Sequence, residues 1–109
     1  MKSALVLFAA AAMVCLFGMS NIAGADGKNK SGEAEFKEHC AVCHPNGGNI
    51  MNTKKTLHKG DLDANNIKTA TDIIMKMRNP GTGMTKFDTK TVSDSEAKKI
   101  AEYILKTFK

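Results

Sequence analysis

Cys40, Cys43 and His44 stand in the order C-x-x-C-H, and no other feature of the chain constrains its fold so much. Two cysteines three apart share one face of a helical turn, and an imidazole follows at once. That arrangement joins two vinyl groups of one porphyrin through thioethers and presents a nitrogen to its iron. A chain carrying it folds around a flat apolar plate rather than around its own side chains alone. Three other readings fit less well. A thioredoxin-like redox pair opens a helix after a strand, and no strand precedes Cys40. A structural zinc centre needs four ligands, and beyond this string the mature chain adds only His39 and His58, without a second paired knuckle. A Cys40–Cys43 disulfide would close a very small loop and contribute little.

The N-terminus points to the compartment that haem attachment requires. Met1-Lys2 is a short positive region, Leu5 to Phe17 is apolar, and Ala23-Gly24-Ala25 is a small-residue cleavage signature before Asp26. Residues 1–25 are therefore expected to be a cleaved export signal, too short for a membrane span, and 26–109 a single monohaem domain. Cys15 lies inside the apolar stretch. The residues before it, Ala12-Met13-Val14, match a lipoprotein processing site poorly, so membrane contact is expected only through partners unless Cys15 is lipidated.

Removing the signal leaves 84 residues, a domain whose own apolar core is marginal and which a buried porphyrin would complete. Of the 16 basic residues, 15 remain, with all 11 acidic ones, so the mature chain stands near 15 − 11 = +4. The excess is small and dispersed, without aromatic residues interleaved among basic ones, which sets nucleic-acid binding aside.

Helical signals dominate beyond the loose polar stretch Asp26 to Ser31. A first helix is expected from Gly32 or Glu33 to about Cys43, with Glu33 and Glu35 in its first turn, broken by Pro45-Asn46-Gly47-Gly48-Asn49. Ile50 to Asn66 reads as loop with one short helical turn. Thr69 to Arg78 suits a helix ended by Asn79-Pro80-Gly81. Ser93-Asp94-Ser95-Glu96 is a capping box, and Ala97, Ile100, Ala101, Ile104, Leu105 and Phe108 recur behind it at helical spacing. No alternating apolar run argues for a sheet, so the fold class is all-α with long loops.

An iron held by His44 needs a sixth ligand, for which several side chains compete. Met75 and Met77 sit inside a helical pattern, where Met is usually core filler. Met51 follows the motif too closely to fold back easily. His58 would make a bis-histidine, low-potential centre, and His39 precedes Cys40 as an expected surface residue. Met84 lies in Pro80-Gly81-Thr82-Gly83-Met84, where two glycines and a proline let backbone approach a porphyrin while a thioether points inward. A thioether ligand favours ferrous iron and raises the potential.

From Gly32 to about Phe108 the chain resembles the class I cytochromes c, and within them the cytochrome c6-like branch. Gly32 and Phe36 stand eight and four residues before Cys40, as in that family's first helix, with Ile100 and Tyr103 as matching contacts on the last. Gly47-Gly48-Asn49-Ile50, Lys55-Thr56-Leu57, and Met84 with Phe87 resemble the branch's haem pocket. One departure stands out: Thr85 follows Met84 where relatives usually carry Pro, which implies a less rigid ligand loop.

The resemblance implies a small class I cytochrome c fold of three to four helices wrapped around one haem c bound through Cys40 and Cys43, with His44 and Met84 on the iron. It further implies a soluble periplasmic carrier of single electrons, monomeric and not an enzyme, that serves redox proteins. Lys54, Lys55, Lys59 and Lys86 would steer partners with acidic docking surfaces. The alternative is a small haem peroxidase or a ligand sensor with a labile sixth ligand. The sequence offers no distal His–Arg pair for it, since Arg78 is the only arginine.

Overall fold

Ser31 opens the first helix. Its hydroxyl accepts the Ala34 amide at 3.1 Å, and Glu33 and Glu35 fill the acidic first turn of α1 (Gly32–His39). The computed structural model describes residues 30–109; the expected export signal and Cys15 lie outside them. Helix α1 stops at His39, short of the expected end near Cys43. The Cys40 and Ala41 amides both donate to the Phe36 carbonyl, at 2.8 and 3.0 Å, so two donors share one acceptor and the ladder slips. The chain leaves the helix as turns, with the Cys43 and His44 amides both returning to the Cys40 carbonyl. A single 3-10 turn at Pro45–Gly47 comes next, through Asn46 and Gly47 at positive φ.

The 50–66 segment holds a helix of its own, α2 (Lys59–Ala64), where one short helical turn was expected. Helix α3 (Ala70–Arg78) ends at Asn79 before Pro80, and Thr69 and Asp72 form a capping box at its start. Helix α4 (Asp94–Thr107) starts at the expected Ser93–Glu96 capping box. No strand occurs among the described residues, and none of their helices is long and apolar enough to cross a membrane.

Helix α4 is the axis of the packing. Its buried face of Ala97, Ile100, Ala101 and Ile104 meets Phe36 of α1 and Ile73 and Met77 of α3, and Leu62 and Val92 join the same core. Leu105, expected in this stripe, is 36% exposed, so the stripe is narrower than the sequence pattern. At the α1–α4 crossing, a Cβ on Gly32 would lie 2.2 Å from the Lys99 carbonyl oxygen and 3.0 Å from the Tyr103 Cβ. Tyr103 is the expected contact; the closest atom belongs to Lys99 rather than Ile100. Phe108 closes the end of α4 by packing on Phe36 and Tyr103, with ring centroids 5.4 and 5.8 Å away.

The α4 cap yields a direct test. Ser93→Ala removes the acceptor for the Glu96 amide and should cost about 1 kcal/mol in denaturant unfolding. The Glu96 carboxyl is held below the usual carboxylate range, chiefly by the Ser93 amide. Its contribution is therefore present above the unfolded value, near pH ~4.3, and is lost as pH falls through the lowered folded value.

Candidate cofactor site

The turn after α1, the loop before α2, the inner face of α3 and the 79–87 loop surround a cavity of about 300 Å³. Cys40, Cys43 and His44 form one part of its lining, Leu57, Leu62, Ile73 and Met77 an apolar part, and Met84 and Phe87 another. Burial, and then the neighbouring Cys43, push the Cys40 thiol up to about 11. A sulfur in that wall is thus best carried as a neutral group, and a thioether is one.

His44 is oriented by its own backbone. Its Nδ1 lies 2.7 Å from the Gly48 carbonyl oxygen, which has no proton to give, so Nδ1–H donates and Nε2 keeps its lone pair. The turn that supplies this carbonyl depends on Gly47 at φ +78°, where a Cβ would meet the Phe108 ring at 2.5 Å. The Gly47 carbonyl in turn accepts the Leu57 amide at 2.7 Å, tying the attachment turn to the next loop. Asn49 organises that loop: its Oδ1 accepts the Met51 and Asn52 amides, and its Nδ2 donates to the Lys55 carbonyl.

The competing ligands separate by position. Met84 lines the cavity and is 37% exposed; Met77 lines it as a buried core residue, and Met51 at 69% exposure. Met75 and His58 are not among the lining residues. His58 precedes α2 and turns its ring edge to Phe108, with centroids 5.9 Å apart. His39, expected on the surface, also lines the cavity, and its side chain is only 19% exposed, with Nε2 3.4 Å from Glu35 Oε2. A haem fits this donor set: two thiols, an imidazole with a free Nε2 lone pair, and a thioether share one largely apolar hollow.

Known proteins agree with that chemistry. A family model described as cytochrome c oxidase, cbb3-type, subunit III, matches residues 27–104. Cytochrome c6 of Bumilleriopsis filiformis is 34% identical over 76 residues, covering 70% of this chain and 87% of that one. The chain belongs to the class I c-type cytochromes, in the cytochrome c6-like branch. Cytochrome c6 of Cyanidium caldarium is 38% identical over 74 residues, 68% of this cytochrome and 66% of that relative, so the match spans just under two thirds of its length. Among solved structures, the outer-membrane cytochrome OmcF of Geobacter sulfurreducens superposes with a TM-score of 0.71 at 40% identity, covering 72% of this chain and all of that one. The cytochrome carries one haem c, joined covalently through Cys40 and Cys43.

Three features of the site escaped the sequence. Glu35 is buried at 2% exposure, and its Oε1 has no hydrogen-bond partner among the described residues. Its place in the acidic first turn of α1 reads as solvated, yet α1 lies packed against α4 and the carboxyl is buried. Lys76 lines the cavity beside Lys55, whereas Lys59, expected in the basic ring, is paired with Asp63 at 2.5 Å. Arg78 donates to two carbonyls of the 79–92 loop and to Asp94, and no local motif announces it.

Proposed function

We propose that this cytochrome is an exported, periplasmic carrier of single electrons whose haem is ligated by His44 and Met84. The observation that carries this reading is the common cavity wall of Cys40, Cys43, His44 and Met84, drawn from separate stretches of the chain. When bound, the haem supplies one-electron exchange at its iron. The residues around it set the terms of that exchange. The Gly48 carbonyl holds the His44 ring in one tautomer and raises its basicity. The Met84 thioether favours the ferrous state, and Leu57, Leu62 and Ile73 exclude water from the faces they cover.

Docking depends on what surrounds the cavity. Val42 and Met51 line it at 83% and 69% exposure, an apolar margin on which a partner can close. Lys54, Lys55 and Lys86 are exposed, and with Lys76 they give this face a positive field that favours acidic redox proteins. The expected monomer and the export signal at 1–25 belong to the same reading, in which Cys15 leaves with the signal. The cytochrome c6 relatives support a carrier over a peroxidase or sensor.

Acid acetone should leave the haem on the polypeptide, and the ferric protein should show the far-red methionine–iron band. Electron exchange with acidic partners should slow as salt shortens the Debye length to about 8–10 Å. Extractable porphyrin would end the covalent reading, a missing far-red band the Met84 assignment, salt-independent exchange the lysine docking face, and substantial peroxide turnover the carrier assignment.

A further inference from the structure

We propose that Arg78 is a positioning residue: its guanidinium ties both ends of the Met84 loop together and so sets how readily the thioether leaves the iron. The proposal rests on Met84 being the sixth ligand and adds what holds it there.

Arg78 is the last residue of α3, where the loop departs. Its Nη1 donates to the Phe87 carbonyl at 3.0 Å and to the Val92 carbonyl at 2.8 Å, and its Nη2 donates to Asp94 Oδ1 at 2.9 Å. The first two acceptors lie where the loop returns, and the third stands at the start of α4. The side chain is only 18% exposed, so its carbonyl bonds are shielded from competing water. Beside it the Phe87 amide donates to the Met77 carbonyl at 2.9 Å, so both polar backbone groups of Phe87 are spent on the end of α3. The loop is thereby pinched into a neck between Arg78 and Phe87.

Beyond the neck, the two halves of the loop differ. Residues 88–92 hold themselves: Asp88 Oδ1 accepts the Lys90 and Thr91 amides, and the Asp88 carbonyl accepts the Val92 amide. The Thr91 amide, with help from the Arg78 charge, keeps the Asp88 carboxyl below its ordinary range. Residues 80–86 have a single long backbone bond, Met84 amide to Gly81 carbonyl at 3.4 Å, and Gly83 sits at φ +92°. Nothing within the Met84 half fixes the thioether, so its restraint is imposed at the neck. A planar guanidinium reaches these three acceptors from two spread nitrogens in fixed directions; an ammonium has three donors but only one point from which to aim them.

The test uses the intact haem protein in its ferric form. Cyanide association reads how often Met84 releases the iron, and denaturant unfolding followed by far-UV circular dichroism reads global stability. Arg78→Gln should speed cyanide association about tenfold or more, as loss of charge-assisted bonds predicts. Arg78→Lys should fall between it and the wild type, and Asp94→Asn, which only discharges the exposed arm, should change the rate least. The order Gln, Lys, Asn must hold after each rate is compared at equal distance below its own unfolding midpoint. Rates that track global stability alone would overturn the proposal while leaving Met84 as ligand. A wild type without the far-red methionine–iron band would overturn it together with the Met84 assignment, and the two failures are distinguished by that spectrum.

Discussion

Replacing Met84 by His is expected to keep the iron six-coordinate and low-spin while lowering its reduction potential by a sizeable part of the ~0.8 V that axial ligands span. The thioether is a soft, weak donor that stabilises ferrous iron, and an imidazole removes that preference. Met84 is the cavity-lining methionine on a glycine-flanked loop, so the new ring has room to approach. Met84→Ala should instead admit carbon monoxide and cyanide readily. Thr85→Pro should act in the opposite sense, raising the temperature at which the methionine–iron band disappears. The Thr85 amide donates no hydrogen bond among the described residues, and a proline there lowers the entropy of the unligated loop, an effect worth roughly 0.4–1 kcal/mol. Redox titration and the far-red band check all three. His58→Ala is the control, because His58 faces Phe108 and is absent from the cavity lining; loss of the band in that variant would reassign the ligand.

Gly32→Ala should destabilise the protein by ~3 kcal/mol or more, at or beyond the upper end of overpacking costs. The added methyl would overlap a backbone carbonyl at 2.2 Å, and the Lys99 carbonyl belongs to the middle of α4, where it cannot swing aside like a side chain. Relief requires α1 to lift from α4, and that contact also seats Phe36 in the core. Against a total of about 5–15 kcal/mol for a domain, the loss is large. Gly60→Ala is the matched comparison. It lies in α2, a Cβ there meets nothing within 4 Å, and the same substitution should stabilise by roughly 0.5–1 kcal/mol through helix propensity. Paired denaturant titrations monitored by circular dichroism would show the two signs; equal effects would mean that the α1–α4 crossing tolerates a methyl.

What was legible in the chain was what local chemistry writes. The C-x-x-C-H string, the Ser93 box and the Asn79-Pro80 stop each act over a few residues, and each marks a feature found in the fold. The Thr69 cap was missed because its partner three residues on is Asp72 rather than the usual Glu or Gln. The early end of α1 has no breaker in sequence; it arises from two amides competing for the Phe36 carbonyl. Arg78, Glu35 and His39 were opaque for a different reason. Their surroundings come from segments distant in the chain, and a charged residue on a short helix is indistinguishable from a solvated one until those segments pack. The basic ring shows both limits: Lys59 looked free because its i+4 partner Asp63 lay in a segment read as mostly loop, and Lys76 looked like an ordinary helix surface.

Phe108 on Gly47 couples the haem-attachment turn to the last helix. The attachment turn is braced by Phe108, the residue that caps α4, so its shape depends on the last helix being docked. Without that docking the Gly47–Gly48 bend lacks the aromatic ring behind it. A brace on that bend therefore reaches the imidazole as well, since the Gly48 carbonyl that orients His44 belongs to the same turn.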